Sequence, residues 1–336
     1  MDMDIQSNYK SLFTQKTPNN FQEKISLLAL ASLKGVGYWT LYKLKKEGFS
    51  FNSIITSDDG PEVINLLCKF GATIDKTSKD WRETSFQAIG RAEKITQKLN
   101  NQKTEIIFAD DDRFPESLLD LDDSPEWLFI RGDFSVLKKP SITAVGTRKP
   151  SADGEWLSNF VGLSLADWGA PTVSGLANGM DQAIHNFSLR MKVPTIAILG
   201  TGIQSDYPKG SNYLIDKIID HGGTIITEYL PNDSYSGQNF VRRNRLQAAL
   251  GKVLIPIEWS PKSGTAHTVN YAAQLMRPIA ALSLSDWETE RVILPKLAEP
   301  FSKVFCLPRD QTELNNFVKN SLSKTQKKPI KQMPLI

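Results

Sequence analysis

The chain has 336 residues, of which 40% are hydrophobic and 23% charged. That length divides into about two domains and buries enough surface to fold without staples. Two cysteines, Cys68 and Cys306, and three histidines, His185, His221 and His267, in no ligand spacing, exclude a disulfide scaffold and a thiolate zinc site.

No apolar run approaches the ~18 residues of a membrane span. The polar, acidic start MDMDIQSNYK is not expected to be a secretory signal, so a reducing cytoplasmic setting is expected. The formal charge of +3 misleads, because Lys324, Lys327, Lys328 and Lys331 crowd one acid-free tail. The remainder is nearly neutral, so any polyanion site must be a local patch.

Residues 1–20 are polar and expected to be loose. Between 21 and 100, Leu27, Leu28, Leu30 and Ala31, then Leu41 and Leu44, recur at helical spacing and predict a small all-α domain. Its break, Lys34-Gly35-Val36-Gly37, looks like a helix-hairpin-helix turn. In such a turn the amides of Gly35 and Gly37 face a phosphate, and Lys43, Lys45 and Lys46 follow; a packing turn is the alternative. Glu105–Phe108 and Trp127–Arg131 read as short strands around an acidic segment running from Asp110 to Glu126. Its spacing matches no calcium loop, so it reads as a solvated acidic loop.

From Ser141 to about residue 310 the rhythm changes. Ile142–Val145, Thr172–Val173, Thr195–Leu199, Thr224–Ile226, Val253–Ile257 and Ile279–Leu282 are short apolar runs. Helical patterns near 154–168, 179–191, 211–221, 240–250 and 266–276 separate them, predicting a parallel sheet with helices on both faces. After the 283–302 insertion, Lys303–Leu307 is a candidate edge strand. Residues 311–336 are read as a helix end and a disordered basic tail.

In such a sheet, ligands bind beyond the carboxyl ends of the strands. Four turns there carry small residues and lead to helix N-termini: Gly146-Thr147-Arg148, Ser174-Gly175, Gly200-Thr201-Gly202 and Ser263-Gly264-Thr265. Arg148, Lys209, Arg242, Arg243, Asn244 and Arg245 converge on the same edge, and arginine forks suit phosphate. Tyr207, Tyr235 and Phe240 are candidates for stacking bases or for core packing. Asp181 and His185, at i and i+4, read as a structural hydrogen-bonded pair. His267 reads as a capping residue or a ligand contact, and Glu228 and Glu258 as strand-end acids open to burial and pairing. There is no G-x-G-x-x-G, ribose-holding acid or P-loop, which disfavours dinucleotide binding and ATP hydrolysis.

Residues from about 108 to 282 resemble the DprA (Smf) family of bacterial DNA-processing proteins. The matching strings are Arg113-Phe-Pro-Glu-Ser-Leu-Leu, Pro125-Glu-Trp-Leu-Phe-Ile-Arg-Gly-Asp, Ala144-Val-Gly-Thr-Arg-Lys-Pro-Ser and Val173-Ser-Gly-Leu-Ala-Asn-Gly-Met-Asp-Gln-Ala-Ile-His. Thr195-Ile-Ala-Ile-Leu-Gly-Thr-Gly-Ile, Tyr207-Pro, Asn212, Phe240-Val-Arg-Arg-Asn-Arg and Ser263-Gly-Thr continue the series. The resemblance implies a Rossmann-like domain over 101–310 after a sterile-alpha-motif-like helical domain over 21–100. It also implies single-stranded DNA binding, a homodimer, and loading of a RecA-type recombinase during natural transformation, with no membrane, cofactor or metal.

The family's phosphate pocket falls on Gly146, Thr147, Arg148, Ser174, Gly175, Arg243, Asn244 and Arg245, and more loosely on Lys209. The sequence departs from the family at Val241, where members carry proline, and at the Ser263-Gly-Thr-Ala-His-Thr turn. The C-terminal winged helix of many members is not expected. A nucleotide sensor, or an enzyme like the nucleoside-monophosphate phosphoribohydrolases of the same fold, is the alternative. Those enzymes place a glutamate three residues after the turn threonine. Here Ala266, His267 and Thr268 follow Thr265, so catalysis is not expected. A purely structural interaction module is a third reading, motivated only by the acidic bridge and the lysine tail.

Overall fold

A computed structural model of the chain describes residues 13, 20–74, 80–287, 292 and 294–324. The expected loose start (apart from Phe13 and Asn20), the tail beyond Lys324 and part of the 283–302 insertion lie outside the described residues. The chain divides into two compact units, Met1–Phe108 with Pro125–Trp127, and Ala109–Ser124 with Leu128–Ile336. No helix among the described residues is long and apolar enough to cross a membrane.

The first unit contains α1 (Asn20–Ala31), α2 (Tyr38–Lys46), α3 (Phe51–Ile55), α4 (Gly60–Lys69) and α5 (Trp81–Asn101), then β1 (Thr104–Phe108). Side-chain oxygens of Ser50, Asp59 and Asp80 cap α3, α4 and α5 by accepting from the amides of Ser53, Glu62 and Arg82. Leu27, Leu30, Leu41 and Leu44 are fully buried. Glu23 is buried as well, and its charge is satisfied locally. It accepts from Ser50 Oγ at 3.0 Å, from the amides of Phe51 and Asn52 at 2.9 and 3.0 Å, and from Lys45 Nζ at 3.1 Å. A carboxylate thus caps the start of α3.

The second unit contains β2 (Trp127–Gly132, from Leu128 onward), β3 (Ser141–Val145), α6 (Ala152–Trp168), β4 (Thr172–Ser174), α7 (Met180–Arg190), β5 (Thr195–Ile198), α8 (Asn212–Asp220) and β6 (Thr224–Thr227). It continues with α9 (Gly237–Leu250), β7 (Gly251–Pro256), α10 (Gly264–Gln274), β8 (Ala280–Leu284), β9 (Lys303–Leu307) and α11 (Gln311–Ser323). Every residue of β3, β4, β5 and β6 is buried, as strands covered on both faces require. The strands run in the order β2-β6-β5-β4-β3-β7. Those from β6 to β7 are parallel as expected, whereas β2 runs antiparallel to β6, with Phe129 opposite Thr227. β8 continues the sheet through a parallel bridge between Leu254 and Ile279, and β9 pairs with β8.

One apolar cluster joins Ile142, Val253 and Ile255 of the sheet to Leu157, Val161 and Leu165 of α6. A second joins Ala197 and Ile225 to Ile215 and Ile218 of α8. From β3 the chain steps through β4, β5 and β6 in one direction, then returns so that β7 lies on the other side of β3. The connections therefore diverge at the carboxyl ends of β3 and β7, which is where a doubly wound sheet opens a crevice.

Candidate nucleic-acid interface

A crevice of about 610 Å³ opens at that divergence. The turn after β3 forms one wall with Gly146, Thr147, Arg148 and Lys149, and α9 forms another with Phe240, Arg243, Asn244 and Gln247. Spacings of three and four put those α9 residues on one helical face. Ser263, Gly264 and Thr265 close the far side. Ser263 precedes α10 but does not cap it: its hydroxyl donates to Ser260 O at 2.7 Å. The positive end of an eleven-residue helix thus meets the crevice beside Asn244, whose amide donates to Gly264 O at 3.0 Å.

Two guanidinium groups define the electrostatics. Arg148 is exposed, forms no ion pair among the described residues, and holds its guanidinium 5.2 Å from the Phe240 ring centre. Arg243 lies 5.7 Å from the same centre but is 3% exposed. It donates to Gly175 O at 2.7 Å and to Ile198 O. Burial lowers its pKa to about 10; the charge of Asp181 opposes that fall and the charge of Arg148 adds to it. Two like charges therefore share one aromatic ring.

Asp181 supplies the crevice's own acid. Burial raises its pKa, against the lowering pull of Arg243, of Ser174 and of the backbone amides of Ala177 and Gly175. A Cβ on Gly175 would fall 2.5 Å from Arg243 Nη1, 2.5 Å from Asp181 Oδ2 and 2.6 Å from Gln247 Nε2, so only glycine permits this convergence.

Several residues expected at the phosphate edge lie elsewhere. Arg245 is 1% exposed and grips Glu228 with both Nη atoms, at 2.6 and 2.8 Å, while its Nε donates to Asp123 at 2.9 Å. Arg242 pairs with the same Glu228 and lies 3.5 Å from Asp123. Both forks are neutralised inside the fold, and neither lines the crevice. Ser174 is buried and donates to Ala144 O at 2.7 Å. Gly175 offers its carbonyl to Arg243, and its amide is taken by Asp181. Gly200 is covered by the Phe240 ring, and Gly202 by the Leu230 and Pro231 carbonyls. Lys209 is exposed but outside the crevice lining, although Tyr207 lines it.

The N-terminus of α6 is also occupied. Glu258 accepts from the amide and hydroxyl of Ser151 at 2.9 and 2.7 Å. Asp181 and His185 share a helix face without bonding to each other. The ring of His185 instead meets Thr195 Oγ1 at 2.7 Å through Nδ1, and burial followed by the charge of Arg243 drives its pKa down to about 3. His267 is exposed and does not line the crevice. In the first unit, Gly35 has φ +89° and lies against Thr73, whose amide donates to Gly35 O at 2.9 Å. Its carbonyl and the space a side chain would need are thus taken up by packing within the unit. Gly37, the residue before α2, is exposed in open space.

The acidic segment is not simply solvated. Asp111, Asp120 and Asp123 pair with Arg113, Arg277 and Arg245. Among the described residues, no cluster of three His, Cys, Asp or Glu could hold a metal. The sequence reading missed Gln247, which is 1% exposed and leaves its Nε2 without a hydrogen-bond partner. It also missed Asp181 as a crevice residue. Helical spacing from Arg243 could have found the first.

A family model and curated relatives point to one family. Residues 105–292 match the family described as DNA recombination-mediator protein A. Protein Smf of Escherichia coli (strain K12) is 31% identical over 177 residues, covering 53% of this chain and 47% of that protein. The match thus spans about half the length of this curated relative. Among solved structures, DNA processing protein A from Streptococcus pneumoniae superposes with a TM-score of 0.59 at 23% identity, covering 89% of this chain and 98% of that one. DNA processing protein A from Helicobacter pylori, described for its unique single-stranded DNA binding mode, superposes at 0.55 with 24% identity, covering 65% of this chain and 97% of that one.

Proposed function

Because the chain belongs to the DNA recombination-mediator protein A family, we propose that its crevice holds the backbone of single-stranded DNA. The observation that carries this reading is the pair Arg148 and Arg243, set around one Phe240 ring at the N-terminus of α10. Each guanidinium raises the cost of the other, and Arg148 has no acid partner among the described residues. A phosphodiester between them relieves that repulsion and is met by the positive end of the helix. Asp181, behind Arg243, opposes the fall in its pKa.

The protein acts in this reading as a binder and not as a catalyst. The bound strand is passed to a RecA-type recombinase during uptake of DNA by transformation, in the cytoplasm, by a homodimer. The Helicobacter pylori neighbour's single-stranded ligand agrees with the ligand proposed here. Equilibrium binding of a single-stranded oligonucleotide across a salt series, with wild type and Arg148→Ala, tests the proposal. Salt-steep binding that weakens and flattens in the variant is expected.

A further inference from the structure

Phosphate recognition leaves one part of the crevice unused. Tyr207 and Tyr235 lie face to face, with ring centres 4.6 Å apart and planes 19° apart. Tyr207 in turn leans on Phe240 at 5.2 Å. The three rings form a column that starts on the wall carrying the guanidinium groups and ends in solvent at Tyr235, which is 61% exposed. The inner end is fixed: the Phe240 ring rests on Gly200, where an added Cβ would come within 2.5 Å of it. Tyr235 already stacks on Tyr207, so the outer ring is positioned before any ligand arrives, which reduces the ordering cost of binding.

We propose that the outer face of Tyr235 is the seat for one nucleobase of the bound strand. The inference rests on the reading that the crevice takes a single-stranded backbone. Tyr207, Tyr235 and Arg148 line the same crevice, so a base on the column keeps its phosphate within the field of Arg148. Every base has a π face, so the seat selects no sequence. It selects strand form, because a base inside a duplex already has both faces covered. Polyanions without bases would meet the arginines alone.

The test uses the full chain and two labelled oligomers of equal length, oligo-dT and an abasic strand with the same phosphates. Wild type should bind oligo-dT more tightly than the abasic strand. Tyr235→Ala should weaken oligo-dT binding by roughly 5- to 100-fold, leave the salt slope unchanged and leave abasic binding unchanged, whereas Tyr235→Phe should bind like wild type. Equal binding of oligo-dT by wild type and Tyr235→Ala, or an equal loss on the abasic strand, would overturn the base seat while the backbone reading stands. Failure of wild type to bind either oligomer would overturn both.

Discussion

Arg148 and Arg245 are chemically identical and do opposite work. Arg245 is enclosed by Glu228 and Asp123, so its charge is spent on holding α9 against the end of β6. Removing one partner of such a pair leaves a buried charge uncompensated. Arg245→Ala should therefore lower stability by about 3–5 kcal/mol in denaturant unfolding, with Glu228 left to Arg242 alone. A variant as stable as wild type would show that the cluster is not structural. His185 gives a pH signature. Its native pKa of about 3 lies below the unfolded 6.5, so its stabilising contribution is present above pH 6.5 and fades as the pH falls towards 3. The limiting slope is about 1.4 kcal/mol per pH unit. Urea unfolding at about pH 7.5 and about pH 5.5 should show His185→Gln losing about 1.4 kcal/mol less than wild type over that interval. Equal losses would refute the assignment.

At the scale of elements, the starts of two helices contrast. α6 presents its N-terminus to Glu258, so that end is already satisfied. α10 keeps its start open to the crevice, and Gly264 has free space around an added Cβ. Gly264→Asp should favour the helix dipole by about 0.3–1 kcal/mol while repelling phosphate. Thermal stability should hold or rise while single-stranded DNA affinity falls; unchanged affinity would remove α10 from the interface. The elements themselves were legible, because buried strands alternate with amphipathic helices from Ser141 onward. The fate of the arginines was harder to read. Arg242, Arg243 and Arg245 look like one cluster in a string, yet a helix turns about 100° per residue. Arg242 and Arg245 therefore face Glu228, while Arg243 and Gln247 face the crevice. Of their acid partners, Glu228 ends the preceding strand, but Asp123 lies more than a hundred residues away, and no local pattern announces it. The turns after β4 and β5 were hard to read for a related reason. Small residues there make room for Asp181 and Phe240.

For the whole molecule, net charge is a poor guide. A chain with a formal charge of +3 has 40 basic and 37 acidic residues, and many of those described cancel within the fold. In the crevice, the positive groups that face a polyanion are Arg148 and Lys149 exposed on the rim, Arg243 behind them, and one helix start. Binding built this way should depend steeply on salt although the protein is nearly neutral. The most direct measurement is the slope of log affinity against log salt for a single-stranded oligonucleotide, in wild type and in Arg148→Ala. Binding should be weaker in the variant, with a slope smaller by about 0.7 for each phosphate that the variant leaves unneutralised. Superimposable lines from two folded proteins would contradict it.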